Sequence, residues 1–334
     1  MAVITHDYTG LKPFVQHKGK LSEGITFNPS NNTLLWVDII RGQLHRSFLE
    51  GDLLTRSSKS HEVHSFPNET IGVIYLTEDD DLVVLGGQFG LAEFRFSTKS
   101  FDYKLKFDTN SVVTPEGLDK YRLRSNDGNV DPNGNIWQGL MGNCNIGPVP
   151  EGRLVKFSPN GTTKEQDSLI PNGINWSKDG KTLYWTSSLE FTIYKFDFDL
   201  ETSTVSNKTP FINFKNVFPE LESPEPDGFI LTTDEEIITA VWSSSSVVHF
   251  NKQGEVIQVF KLPTPRISCV NFGATNELFI TSANLNLDND DNNSDPNDFS
   301  GSIFRIVLEN GEFNGVPRPI LTKAQLEKLY AGNK

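Results

Sequence analysis

The sequence predicts an all-β fold: a six-bladed β-propeller closed into a ring, with a short C-terminal helix. Three observations carry that expectation. A two-strand phrase recurs six times, the copies are spaced at blade length, and most copies are followed by a further strand. The copies are GITFNPSNNTLLWVDI from Gly24, GVIYLTEDDDLVVLGG from Gly72, GNVDPNGNIWQGLM from Gly128, GINWSKDGKTLYWTSS from Gly173, GFILTTDEEIITAVWS from Gly228 and VNFGATNELFITSA from Val270.

Each copy joins two apolar strands through a turn of Asn, Asp, Gly, Pro, Glu or Thr, residues that bond their own backbone or tolerate positive φ. The second strand is rich in Leu, Ile, Val, Trp and Thr, which suits a pleated, buried surface. Third strands follow at QLHRSFL from Gln43, LAEFRFS from Leu91, RLVKFSP from Arg153, TIYKFDFDL from Thr192, VVHFNK from Val247 and SIFRIVL from Ser302. Outer strands such as FDYKLKF from Phe101 and VIQVFKLP from Val256 complete four-stranded blades. Successive copies start 48, 56, 45, 55 and 42 residues apart, close to the per-blade length of propellers. A closed ring also avoids the exposed end faces of an open stack.

The whole chain, 1–334, reads as one domain. Closure is expected through KPFVQH near Lys12, joining the last blade beside VPRPIL near Val316. Thr322 and Gln325 form a T-x-x-Q capping box that starts a helix over 322–330, with Leu326, Leu329 and Tyr330 on its apolar face. Residues 288–298 read as an acidic surface loop. They do not match an EF-hand, since Asn293 and Phe299 stand where Gly and Glu are needed.

A net charge of -13, with no basic run interleaved with aromatics, argues against nucleic acid as a partner. No stretch of about 18 apolar residues occurs, so no membrane partner is expected. The first twenty residues contain no signal-peptide run and there are only two cysteines, which predicts a cytoplasmic protein without a disulfide framework.

If the copies superpose, the residue before each start rings one mouth of the central channel. Those residues are Glu23, Ile71, Asp127, Asn172, Asp227 and Cys269, and four of them carry a side-chain oxygen. Asp-Gly and Asn-Gly are also common turn pairs, so singly they could merely start strands. Their shared phase, and a Glu that is no turn residue, point instead to convergent oxygens of the kind a hard cation needs.

The stretches LSEGITFNPSNNTLLWVDI, RSNDGNVDPNGNIWQGLMG, PNGINWSKDGKTLYW and PDGF, followed by PTPRISCVNFG, resemble the successive signatures of the senescence-marker-protein-30, gluconolactonase and luciferin-regenerating family. The resemblance runs from about Glu23 to Thr281. It implies a six-bladed propeller holding one divalent ion, Ca²⁺ foremost with Zn²⁺, Mn²⁺ or Mg²⁺ as alternatives, through Glu23, Asn172 and Asp227. It also implies that Arg124 and Asn126 bind substrate; Asp127, in the same motif, is expected to play a supporting, structural role. Family members that favour sugar lactones often carry an acidic residue after the G-T-M stretch, where GLMGNC here places Cys144.

The expected activity is metal-dependent opening of a small lactone. The ion polarises the carbonyl and activates a water, and Asp227 is the natural general base. An esterase or phosphotriesterase on the same scaffold is the enzymatic alternative, and a non-catalytic metal-binding propeller the other. The G-x-S-x-G, H-E-x-x-H, phosphate-loop and dinucleotide fingerprints are all missing. His61 and His64 are expected on opposite faces of one strand. Cys144 is expected as a packed thiol rather than a nucleophile.

Overall fold

The computed structural model describes residues 2–107, 123–144, 146–287, 295, 297–308 and 313–333. An N-terminal strand β1 (Ile4–Asp7) precedes six sheets arranged in sequence. The first is β2 (Ser22–Asn28), β3 (Thr33–Asp38), β4 (Gln43–Glu50) and β5 (Ser57–Ser65). The second is β6 (Val73–Leu76), β7 (Leu82–Gly86), β8 (Gly90–Arg95) and β9 (Ser100–Lys106). The third is β10 (Leu123–Val130), β11 (Ile136–Gly142), β12 (Arg153–Ser158) and β13 (Gly161–Asp167). The fourth is β14 (Pro171–Trp176), β15 (Thr182–Ser187), β16 (Thr192–Asp199) and β17 (Thr204–Asn213), and a one-turn helix α1 (Phe214–Val217) follows it. The fifth is β18 (Pro226–Leu231), β19 (Ile237–Val241), β20 (Ser246–Phe250) and β21 (Val256–Lys261). The sixth is β22 (Ile267–Phe272), β23 (Glu277–Ser282) and β24 (Ile303–Val307), before the terminal helix α2 (Lys323–Gly332). The molecule is a six-bladed β-propeller.

Burial explains why the repeat was readable. In the first blade β3 is buried along its whole length while β5 is largely exposed. Inner strands are covered on both faces by the neighbouring blades, so they read as continuous apolar runs such as LLWV and LYWT. The innermost strands β2, β6, β10, β14, β18 and β22 touch in order, and β22 returns to β2. On the outer strand β5 of the first blade, His61 stacks on Trp36 while His64 packs on Phe94 of the second blade, the two-faced placement expected of a strand.

The ring is tied at both termini. Phe14 and Val15 donate backbone N–H groups to the Ile303 carbonyl, giving the three-stranded sixth sheet an outer neighbour. Upstream, β1 pairs in parallel with β21 and makes the fifth sheet five-stranded. Val316 is not beside the Lys12 stretch as anticipated. Its N–H donates to the Leu231 carbonyl in the fifth blade, and Leu321 N–H to the Leu76 carbonyl in the second. The physical reason is burial: Val316 packs with the core under the fifth blade and Leu321 with that of the second and third. Residues 313–321 thus form a strap across the channel end opposite Glu23 and Asp227. The capping box delivers α2, in which Thr322 Oγ1 accepts from the Gln325 N–H and Gln325 Oε1 from the Thr322 N–H. Leu326 and Leu329 bury its inner face.

Residues 288–294 and 296 of the acidic loop lie outside the described residues. Among the described residues no helix is long and apolar enough to cross a membrane.

Candidate active site

At the phase picked out by the repeat, the pairing of inner to second strands is irregular. The register shifts between Glu23 and Thr26, between Ser125 and Gly128, between Pro171 and Ile174, between Pro226 and Phe229, and between Ile267 and Cys269. The second blade, whose phase residue is Ile71, pairs regularly from Val73. A bulge leaves a residue out of the ladder and re-aims its side chain. The Asp-Gly and Asn-Gly pairs are therefore bulges inside strands, not turns before them. Glycine follows for two physical reasons. Gly24 has φ +59°, and a Cβ on Gly228 would lie 2.6 Å from Cys269 Sγ, so neighbouring inner strands could not approach.

The bulges open onto a cavity of about 240 Å³. Glu23, Asn172 and Asp227 line it together with Arg124 and Asn126, and Leu21, Met141, Ile170 and Leu287 supply apolar walls. Asp127 does not line it. Its Oδ1 accepts from the Gly128 N–H at 2.7 Å, and the Arg318 guanidinium on the strap is its opposing charge.

The electrostatics of this end of the channel are unusual. Burial, then the neighbouring Asp127, pushes Glu23 up to about 8, although the Gly24 N–H, Arg124 and Arg318 oppose the shift. Asp227 is raised well above the ordinary carboxylate range by burial, then by Glu23, Asp127 and Glu225. The Asn172 side chain opposes this shift, yet Asp227 Oδ1, fully buried, has no hydrogen-bond partner among the described residues. A buried carboxylate oxygen in that condition is costly unless a ligand satisfies it. Asn172 is itself held by Ser188, whose Oγ accepts from Asn172 Nδ2 at 3.2 Å and donates to the Pro226 carbonyl at 2.8 Å.

Arg124 is buried beside these carboxylates. Its Nη1 donates to the Ser125 carbonyl and to Asn126 Oδ1, both at 2.8 Å, while its Nε has no partner among the described residues. Asn126 Nδ2 donates to the Pro171 carbonyl at 3.0 Å. Asn126 thus holds Arg124 in place and keeps only part of its capacity for a ligand. Among the described residues no three His, Cys, Asp or Glu side chains gather as a metal cluster. The set Glu23, Asn172 and Asp227 reaches three donor side chains only by including an amide.

Two expectations need correcting. Cys144 is exposed rather than packed, and it does not line the cavity. The loop after β11 leaves its thiol outside because Asn143 Oδ1 turns the chain by accepting the Cys144 N–H. One cavity residue was missed: Glu225, which the segment after α1 brings to the wall. Burial raises its pKa, with the Ser223 hydroxyl opposing. Only its position two residues before Asp227 could have suggested it.

The chain is similar to known proteins in both sequence and fold. The sequence pattern described as the SMP-30/Gluconolactonase/LRE-like region matches residues 21–284. The chain is 37% identical to the cell growth-regulated gene 1 protein of Candida albicans over 91% of this chain and 94% of that protein. It is 28% identical to a pentonolactonase of Haloferax volcanii over 86% of this chain and 90% of that one. Its fold is similar to a solved regucalcin from Agrobacterium tumefaciens, with a TM-score of 0.78 at 23% identity, covering 96% of this chain and 99% of the other.

Proposed function

The chain is a member of the SMP-30/gluconolactonase/LRE-like family, and from that premise we propose that it is a lactone hydrolase dependent on one divalent cation held by Glu23, Asn172 and Asp227. The observation that carries this reading is the partnerless Asp227 Oδ1 in the cavity that Glu23 also lines. Two carboxylates and an amide form an all-oxygen donor set, which suits a hard cation, Ca²⁺ foremost, with Mn²⁺, Mg²⁺ and Zn²⁺ as further candidates. A bound cation would hold both carboxylates ionised and supply Lewis acidity to a substrate carbonyl. The pentonolactonase relative supports a lactone as the substrate class.

The chain's own residues divide the remaining work. Asp227 takes a proton from the attacking water as its oxygen bonds to the lactone carbonyl carbon. The ring C–O bond then breaks, the proton passes to the departing ring oxygen, and a hydroxy acid is left. Arg124, anchored by Asn126, directs a fixed N–H toward negative charge developing on the carbonyl oxygen or toward a substrate hydroxyl. Ser188, which donates to the Pro226 carbonyl, accepts from Asn172 Nδ2 and so keeps that amide oriented. The apolar side chains around the mouth limit competing water.

The test is hydrolysis of a panel of aldonolactones, aryl esters and phosphotriesters by purified protein, before and after exhaustive chelation, with metal content measured. Lactones should be the best substrates, chelation should abolish turnover, and divalent ions should restore it. Full activity in metal-free protein would overturn the proposal.

A further inference from the structure

Glu225 is a cavity carboxylate that neither cation binding nor proton transfer requires. It comes from the segment between α1 and β18, where the buried rings of Phe214 and Phe218 pin the chain against the fifth blade. Its Oε1 accepts from the Ser223 hydroxyl at 2.6 Å, and no other side-chain hydrogen bond reaches the carboxylate among the described residues. Its second oxygen is thus free to accept. The Glu225 backbone carbonyl accepts from the Trp242 N–H at 2.9 Å, which ties the Glu225 backbone to the residue that follows β19. Trp242 is half-buried and lines the same cavity, with the Arg266 guanidinium 5.5 Å from its ring.

An indole face beside an open carboxylate oxygen is a two-part recognition surface. The ring accepts the C–H side of a saturated cycle, and the oxygen accepts hydroxyl hydrogens from its rim. The same oxygen has nothing to offer a phosphate or carboxylate, because like charges brought together without a partner repel in a low-dielectric cleft. Arg124, the cation lining this cavity among the described residues, has its Nη1 committed to Asn126 and Ser125 and its partnerless Nε assigned above to the reacting carbonyl, while Arg266 behind Trp242 donates to the Asn284 carbonyl. We infer that Glu225 is the specificity-determining residue of this site: with Trp242 it selects neutral, hydroxyl-bearing lactones and turns away anionic ones. This rests on the lactone-hydrolase reading proposed above.

The experiment compares kcat/KM for ribonolactone, which is neutral and hydroxylated, butyrolactone, which has no hydroxyls, and glucarolactone, which carries a carboxylate. Parent, Glu225→Gln, Glu225→Leu and Trp242→Ala proteins are each assayed at saturating metal, with bound ion and melting temperature recorded. The parent should prefer ribonolactone to glucarolactone by roughly a hundredfold, and Glu225→Gln should cut that preference about tenfold, chiefly through KM for the anionic lactone. Glu225→Leu should also erase the preference for ribonolactone over butyrolactone. Trp242→Ala, which leaves the carboxylate in place, should raise KM for ribonolactone and glucarolactone together and leave their ratio unmoved. A neutral-to-anionic ratio that stays within about twofold in folded, metal-loaded Glu225→Gln or Glu225→Leu overturns the inference while leaving the hydrolase reading intact. If the metal-loaded parent opens none of the three lactones, the hydrolase reading falls. Calorimetric binding of the cyclic polyol anhydroxylitol then decides for Glu225: weaker binding to Glu225→Leu supports its role, and equal binding refutes it.

Discussion

Asp131 and Asp227 are both buried aspartates associated with inner strands, and they are treated in opposite ways. Asp131, at the end of β10 away from the cavity, receives a full set of donors. Its Oδ1 accepts the Asn133 and Asn135 N–H groups at 2.9 Å, and its Oδ2 accepts Asn135 Nδ2 at 2.8 Å and Trp137 Nε1 at 3.0 Å. Asp227, at the start of β18, has one oxygen with no donor at all among the described residues, and its neighbours Glu23, Asp127 and Glu225 are further carboxyl groups that raise its pKa. A carboxylate that serves the fold comes with its hydrogen-bond partners built in. One that is left without them, in a cavity, costs the fold stability unless a ligand satisfies it.

The largest expected effect is on turnover. Asp227→Asn keeps an oxygen of equal size but removes the charge and the proposed base, so kcat should fall roughly 10² to 10⁴ fold at saturating metal. Steady-state kinetics with the bound ion quantified checks this. Near-parent turnover with the ion retained would remove Asp227 as the base.

Stability should divide the two aspartates in the opposite sense. Asp131→Ala strips partners from several buried donors and should lower the unfolding free energy by about 3 kcal/mol or more. In chelated protein, Asp227→Asn should instead leave stability unchanged or raise it, since it removes an uncompensated buried carboxylate. Urea denaturation of both variants tests the contrast, and equal losses would break it.

The pH dependence sharpens it further. Glu23, held at about 8, and Asp227, also raised, bind protons more tightly folded than unfolded. Their contribution is therefore favourable below the unfolded carboxylate range and is lost as pH rises through the folded values. In chelated protein the gap by which Asp227→Asn exceeds the parent should widen between about pH 4 and pH 8, by at most about 1.4 kcal/mol per pH unit for each carboxylate that ionises. A gap independent of pH over that window would contradict the cause assigned to those shifts.

The smallest effect belongs to the strap. Arg318 is an opposing charge for Asp127 and Glu23 from across the channel. Replacing it by Gln should cost about 1 kcal/mol at pH 8 and less at pH 5, where Glu23 holds its proton. Equal losses at the two values would mean that the strap acts only by packing.

Much of this was legible in the linear sequence because it is local. The hairpins, the C-terminal capping box and the common phase of Glu23, Asn172 and Asp227 each depend on residues a few positions apart, repeated at blade length. What the repeat could not express is what happens where distant segments meet. The bulges at Asn126, Asn172 and Asp227 turn those side chains because neighbouring inner strands crowd their glycines. Glu225 reaches the cavity through a non-repeating insertion, Cys144 stays outside it, and Val316 crosses to Leu231 rather than to the Lys12 stretch. Local periodicity determines which strands form and which oxygens share a phase. Only the closed ring decides which of those oxygens find donors and which are left for a ligand, because that balance is struck between blades.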